Sequence, residues 1–187
     1  MIRSAVPLPN LRRRYVVTAF LAAIIATAFM AVDRSIAEIA GPQPTDRQVA
    51  LAVTSLLRRE HLTKHPLDAE ISRKALKAYL KGIDPMKLYF TQADVDEFMK
   101  HQDELCDMAK KGDVTLAYTI YHKFLDRVDE RMKLVDELLA KDPDFTVDEE
   151  MITDPDKTTY AKDDAETQDK WRKRIKYDIL NQKADKK

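Results

Sequence analysis

Apolar positions along this chain recur at three- and four-residue steps, the period of a helix with one face turned inward. Gly41-Pro42-Gln43-Pro44 is a breaker cluster, after which Thr45 is placed to cap a helix running to about residue 63, with Val49, Ala52, Val53, Leu56 and Leu57 on one face. His65-Pro66-Leu67 interrupts the pattern, and Asp68 is the next N-cap, leading a helix whose stripe is Ile71, Ala75, Leu76, Tyr79 and Leu80. Gly82 is expected to end it in a left-handed conformation. Ile83 to Phe90 is a connecting stretch with Leu88, Tyr89 and Phe90 in a row, so its side chains should plug the core while the backbone turns. Thr91 with Asp94 three residues on has the spacing of a capping box. It opens a helix carrying Val95, Phe98, Leu105 and Ala109, with Gln102 as the polar exception.

Gly112-Asp113 stops that helix and caps the longest one, expected over residues 113–141. Its stripe is Val114, Ala117, Tyr118, Tyr121, Phe124, Leu125, Val128, Met132, Val135 and Leu139. Asp142-Pro143 ends it. An acidic loop with two Asp-Pro steps comes next, to about residue 164, then a last helix over 165–183 with Trp171, Ile175, Ile179 and Leu180 on one side. No strand-like alternation of useful length is present. The pattern predicts an all-α bundle of four to five helices in one domain, residues 45–183, preceded by an N-terminal signal or anchor helix.

That N-terminal segment, residues 1–37, has another character. Arg3, Arg12, Arg13 and Arg14 precede Val16–Val32, seventeen residues without a charge, which Asp33 and Arg34 close. A basic flank, an apolar run and then small residues (Ser35-Ile36-Ala37) form the layout of a cleavable secretory signal. At about 1.5 Å per residue, the run also meets the lower limit for crossing a hydrocarbon layer of about 30 Å. Two readings stay open: a cleaved signal peptide, or membrane anchoring through residues 16–32. Both export the residues beyond about 37, because the arginines hold the N-terminus inside. The expected location is the periplasm, or the periplasmic face of the inner membrane.

Composition narrows the chemistry. Gly41, Gly82 and Gly112 are the only glycines, too few and too far apart for a dinucleotide or Walker loop. One cysteine, Cys106, excludes an internal disulfide and a Cys-rich zinc module. The chain has 32 basic and 32 acidic residues. Without residues 1–37, which hold five of the basic and one of the acidic ones, the remainder has net charge −4. Nothing in that balance attracts nucleic acid.

Candidate reactive groups have plainer explanations. His61 and His65 are four apart, as metal ligands on a helix can be, but Pro66 disfavours helical geometry at His65. Asp154 to Ala165 resembles a calcium loop only loosely, with Thr159 where the sharp turn needs glycine and Ala165 where the bidentate acid belongs. Glu149-Glu150 and Asp163-Asp164 are adjacent acids on a loop and are expected to be solvated. Ser35, Ser55 and Ser72 lack the glycine elbow of a serine nucleophile. Cys106 reads as a half-buried or buried thiol. The Tyr/Phe stripe of the long helix reads as core first and as a peptide groove second. No catalytic residue, cofactor or metal site is assigned.

One ordered set of residues stands out: Leu80, Ile83, Asp84, Lys87, Tyr89, Phe90, Asp94, Val95 and Phe98. It resembles the opening of the tail-specific, or C-terminal processing, serine proteases of the S41 class. Asp144-Phe145-Thr146, with Trp171 to Leu180 after a loop, looks like the close of the same family's N-terminal helical domain. The resemblance spans about residues 45–183. It implies a non-catalytic domain that contributes to substrate access and docking in an exported serine endopeptidase acting on proteins or peptides. In that family a PDZ domain and a Ser/Lys catalytic domain come after this one, and no position here matches their nucleophile, base or carboxylate-binding loop. The alternative is a stand-alone exported helical interaction module or protease regulator.

Overall fold

A computed structural model describes residues 41–60 and 66–185. The expected signal or anchor run 16–32, the Ser35-Ile36-Ala37 site, His61 and His65 lie outside the described residues. The described residues form six helices and no strand: α1 Pro44–Glu60, α2 Ala69–Ile83, α3 Gln92–Met99, α4 Leu105–Lys110, α5 Thr115–Leu139 and α6 Asp164–Asp185. Helix α4 packs on α1 and α2, and α5 packs on α6. Leu76, Leu80, Phe90, Val95, Phe98, Leu116 and Ile120 make the buried core. Each such side chain contributes roughly 1.5–3 kcal/mol through burial.

Capping chemistry starts some of the helices and not others: Glu104 and Val114, at the N-caps of α4 and α5, make no side-chain cap bond, so Asp113 does not cap the long helix and only accepts the Thr115 amide at 2.9 Å. Asp68 accepts the Ile71 amide, and Thr91 and Asp94 complete a capping box. Helix α1 does not start on a Thr45 cap. Pro44 fills its first position, where a missing N–H is harmless, and Asp46 Oδ2 accepts the Gln43 amide at 2.8 Å. Gly82 stays inside α2. The helix ends at Asp84 (φ −130°, ψ 69°), the residue before Pro85, where the proline ring disfavours helical backbone. The left-handed residues are Lys87 (φ 53°) and Gly112 (φ 72°).

The faces differ from the expected stripes in two helices. In α1, Val49, Val53 and Leu56 are exposed, while Ala50, Leu51 and Thr54 turn inward. A close approach fixes this choice: a Cβ on Gly112 would lie 2.6 Å from Arg47 Cγ and 3.1 Å from Leu51 Cγ, so α1 docks on bare glycine backbone. Thr54 stays satisfied inside by donating to Ala50 O. In α5 the inward line runs through Leu116, Ile120, Phe124, Arg127 and Arg131, whereas Leu125, Met132 and Leu139 face outward.

The single helix expected from Thr91 to about residue 111 is two. Amides 100, 101 and 102 bond carbonyls three residues back, a tighter winding that ends α3. Helix α4 then starts with the Cys106 amide donating to Ser72 Oγ at 2.9 Å.

Candidate functional site

The residues singled out between Leu80 and Phe98 fold around one carboxylate. Asp84 is 1% exposed, and accepts the Leu88 amide at 2.9 Å and the Tyr89 and Phe90 amides at 3.0 Å. Burial raises its carboxyl, opposed by these three amides and by the charge of Lys170. The turn is also held from outside. Trp171 Nε1 donates to Leu88 O at 2.9 Å, Arg131 Nη2 to Tyr89 O at 3.2 Å, and Lys87 Nζ to Thr158 O. The Gln92 amide donates to Ala161 O at 2.8 Å. Tyr89 sets its ring edge-on to Phe124 (5.0 Å) and Trp171 (5.5 Å), and Phe90 does so to Phe98 (5.4 Å). Burial, then the Asp84 charge, push the Tyr160 hydroxyl up to about 12.

A second buried carboxylate closes this centre. Asp94 accepts the Thr91 amide and hydroxyl, each at 2.9 Å, and both Arg127 Nε (2.8 Å) and Nη2 (2.9 Å). Burial works to raise its carboxyl, but the Arg127 guanidinium and the Thr91 donors outweigh it and hold Asp94 below the usual carboxylate range. Both carboxylates are thus engaged with backbone amides or a guanidinium. Through these bonds both carboxylates hold the turn in place.

The close of the chain forms a different feature. Residues 144–152 run as an irregular strap along α6, tied at three points. Arg172 donates to both Glu149 oxygens, and Lys176 Nζ donates to Glu149 Oε2 (2.8 Å) and Val147 O (2.7 Å). Lys183 Nζ sits 4.0 Å from the Phe145 ring centre. Arg172 first, then Lys176, pull the Glu149 carboxyl down to about 2. Between strap and helix lies a groove of about 470 Å³ lined by Phe145, Val147, Met151, Tyr177 and Leu180. A separate, almost wholly apolar cleft of about 350 Å³ opens between α1, α2, α4 and α5 over Val53, Leu57, Ile71, Tyr79 and Ala109.

The family model described as the tail specific protease N-terminal domain matches residues 53–187. The chain belongs to this family. A tail-specific protease of Haemophilus influenzae is 32% identical to it over 136 residues, which cover 72% of this chain and 20% of the relative. The chain thus spans about one fifth of the length of the curated relative it matches.

Within this tail-specific protease domain, the candidate residues from sequence fall in separate places. Ser72 is fully buried, its oxygen taken by the Cys106 amide, and Cys106 is buried as a free thiol. Ser55 is half-buried on α1. Two readings of acids are corrected. Glu149 is not a freely solvated acid but the anchor of the strap, while Glu150 beside it is exposed. Asp163 opens α6: its Oδ1 accepts the Glu166 amide at 2.8 Å, and Glu166 Oε2 accepts the Lys162 amide at 2.9 Å. The three-residue spacing of Asp163 and Glu166 carries this signal in sequence.

Within the stretch 154–165, residues 155–157 form a turn in which Asp154 accepts the Asp156 amide (3.0 Å) and Asp156 pairs with Lys81 (2.6 Å), while Asp164 and Ala165 already belong to α6. Among the described residues no three His, Cys, Asp or Glu side chains cluster as metal ligands. The Tyr/Phe stripe of α5 packs as half-buried core, with Tyr118 donating to Asp46 Oδ2 at 2.6 Å. Sequence reasoning missed Arg127, Arg131 and Lys176 as inward-facing charges, since nothing local marks a cation whose partner lies 27 to 42 residues away.

Proposed function

We propose that this chain is the non-catalytic N-terminal helical domain, residues 45–183, of an exported tail-specific serine protease. It contributes substrate access and docking to proteolysis carried out by PDZ and Ser/Lys catalytic domains elsewhere in the enzyme. Protein or peptide tails are the substrates, and residues 1–37 act as a signal peptide or as an anchor through 16–32. The observation that supports this reading is the fate of the family's ordered residues. Asp84, Tyr89, Phe90 and Asp94 are occupied in folding one buried turn, so what remains for interaction includes the exposed helix faces, the groove beside the strap and the apolar cleft.

Two measurements test it. The purified 187-residue chain should hydrolyse no peptide with an apolar C-terminal tail; hydrolysis would overturn the silent role. A chimera in which this chain replaces the matched fifth of the Haemophilus influenzae protease should cleave such tails. An inactive chimera beside an active parent would favour the interaction module or regulator instead.

A further inference from the structure

The groove between the strap and α6 has the composition of an interface rather than of a free surface. Phe145, Val147, Tyr177 and Leu180 are 38%, 50%, 39% and 44% exposed and share this one hollow. Soluble domains rarely leave such large apolar side chains grouped in water, and an apolar centre with a charged rim is how protein interfaces are built. The rim is acidic on the strap side. Asp148 and Glu150 are exposed and form no ion pair among the described residues. The patch is held in place, because Glu149 and Lys176 fasten the strap to the helix beneath it.

Its position identifies the occupant. Tyr177 and Leu180 lie in the second half of α6, the last of the helices among the described residues, in a domain whose family is defined as N-terminal, and the matched residues make up only 20% of the relative. We propose that this groove seats an amphipathic segment of the protease polypeptide C-terminal to this domain, with apolar side chains in the hollow and Lys or Arg opposite Asp148 and Glu150. The proposal rests on the protease reading above and adds the face that the rest of the enzyme covers.

Hydrogen exchange compares the 187-residue chain with the Haemophilus influenzae chimera carrying it. Docking should slow exchange at 145–152 and 177–183 by about tenfold or more in the chimera, and Tyr177→Asp with Leu180→Asp should return it to the rate of the lone chain. Asp148→Lys with Glu150→Lys should speed it by repelling the basic flank. Equal rates in chimera and lone chain overturn the proposal, and if that chimera still cleaves peptides the protease reading survives. A chimera that is inactive counts against that reading alone, because exchange reports docking separately. Slowed exchange indifferent to the Lys pair overturns the basic flank and keeps the apolar seat.

Discussion

Arg127 closes on Asp94 through two parallel hydrogen bonds, Nε to Oδ2 at 2.8 Å and Nη2 to Oδ1 at 2.9 Å, while Asp94 completes the capping box that starts its own helix. One carboxylate thereby ties the start of α3 to the middle of α5. Arg127→Ala leaves that buried carboxylate with only the partly exposed Lys123, its Nζ 3.8 Å away, as a cation. The expected loss is about 2–3 kcal/mol in urea unfolding at pH 7, below the full range for deeply buried pairs because Arg127 keeps some exposure. Arg127→Lys should lose less, since it keeps the charge but not the fork.

Acid should loosen the strap through Glu149. A carboxylate whose folded pKa is depressed stabilises above its unfolded value, and this stabilisation is lost as pH falls toward the folded one. For Glu149 that window runs from its ordinary 4.5 down to about 2. NMR titration of the Glu149 carboxyl should show a midpoint near 2, and Arg172→Ala should move it upward. A wild-type midpoint near 4.5 would mean the strap is not tied to α6.

Asp84→Asn tests the turn. An amide has one acceptor oxygen where the carboxylate has two, so the Leu88, Tyr89 and Phe90 amides cannot all be satisfied. The expected cost is about 2–4 kcal/mol by urea unfolding. Trp171→Phe keeps an aromatic ring but removes the bond to Leu88 O, and should cost about 1 kcal/mol.

Gly112→Ala should loosen α1. The residue has φ 72°, and its new Cβ would meet Arg47 Cγ at 2.6 Å and Arg47 O at 3.1 Å. The expected readout is faster hydrogen exchange through residues 44–60 with α5 unchanged. Val49→Ser and Leu56→Ser on the outward face of α1 should change unfolding stability by under about 0.5 kcal/mol.

Local chemistry made much of this fold readable. Asp68, the Thr91–Asp94 box and Gly112 each act within three or four residues, and each appears where sequence places it. The apolar row Leu88-Tyr89-Phe90 announced a turn that plugs the core, with Phe90 1% exposed. Facing was harder to read. Helix α1 has apolar residues around most of its circumference, and the side that goes inward is set by the bare backbone of Gly112, 61 residues beyond Leu51. Helix α5 turns Arg127 and Arg131 inward because Asp94 and Tyr89 O wait there, a tertiary fact that periodicity does not encode. The split between α3 and α4 depends likewise on Ser72 offering its hydroxyl to Cys106. The strap obeys the same logic, since Glu149 finds Arg172 and Lys176 only after α6 has folded back.

The Asp84 turn, though outside any helix, should be as fixed as the core around it. Native-state hydrogen exchange of the full chain measures this directly at Leu88, Tyr89 and Phe90. These amides should open only with global unfolding, matching the slowest amides near Leu80 and Ile120. Exchange at the rate of a solvated loop, while those helices stay protected, would contradict it.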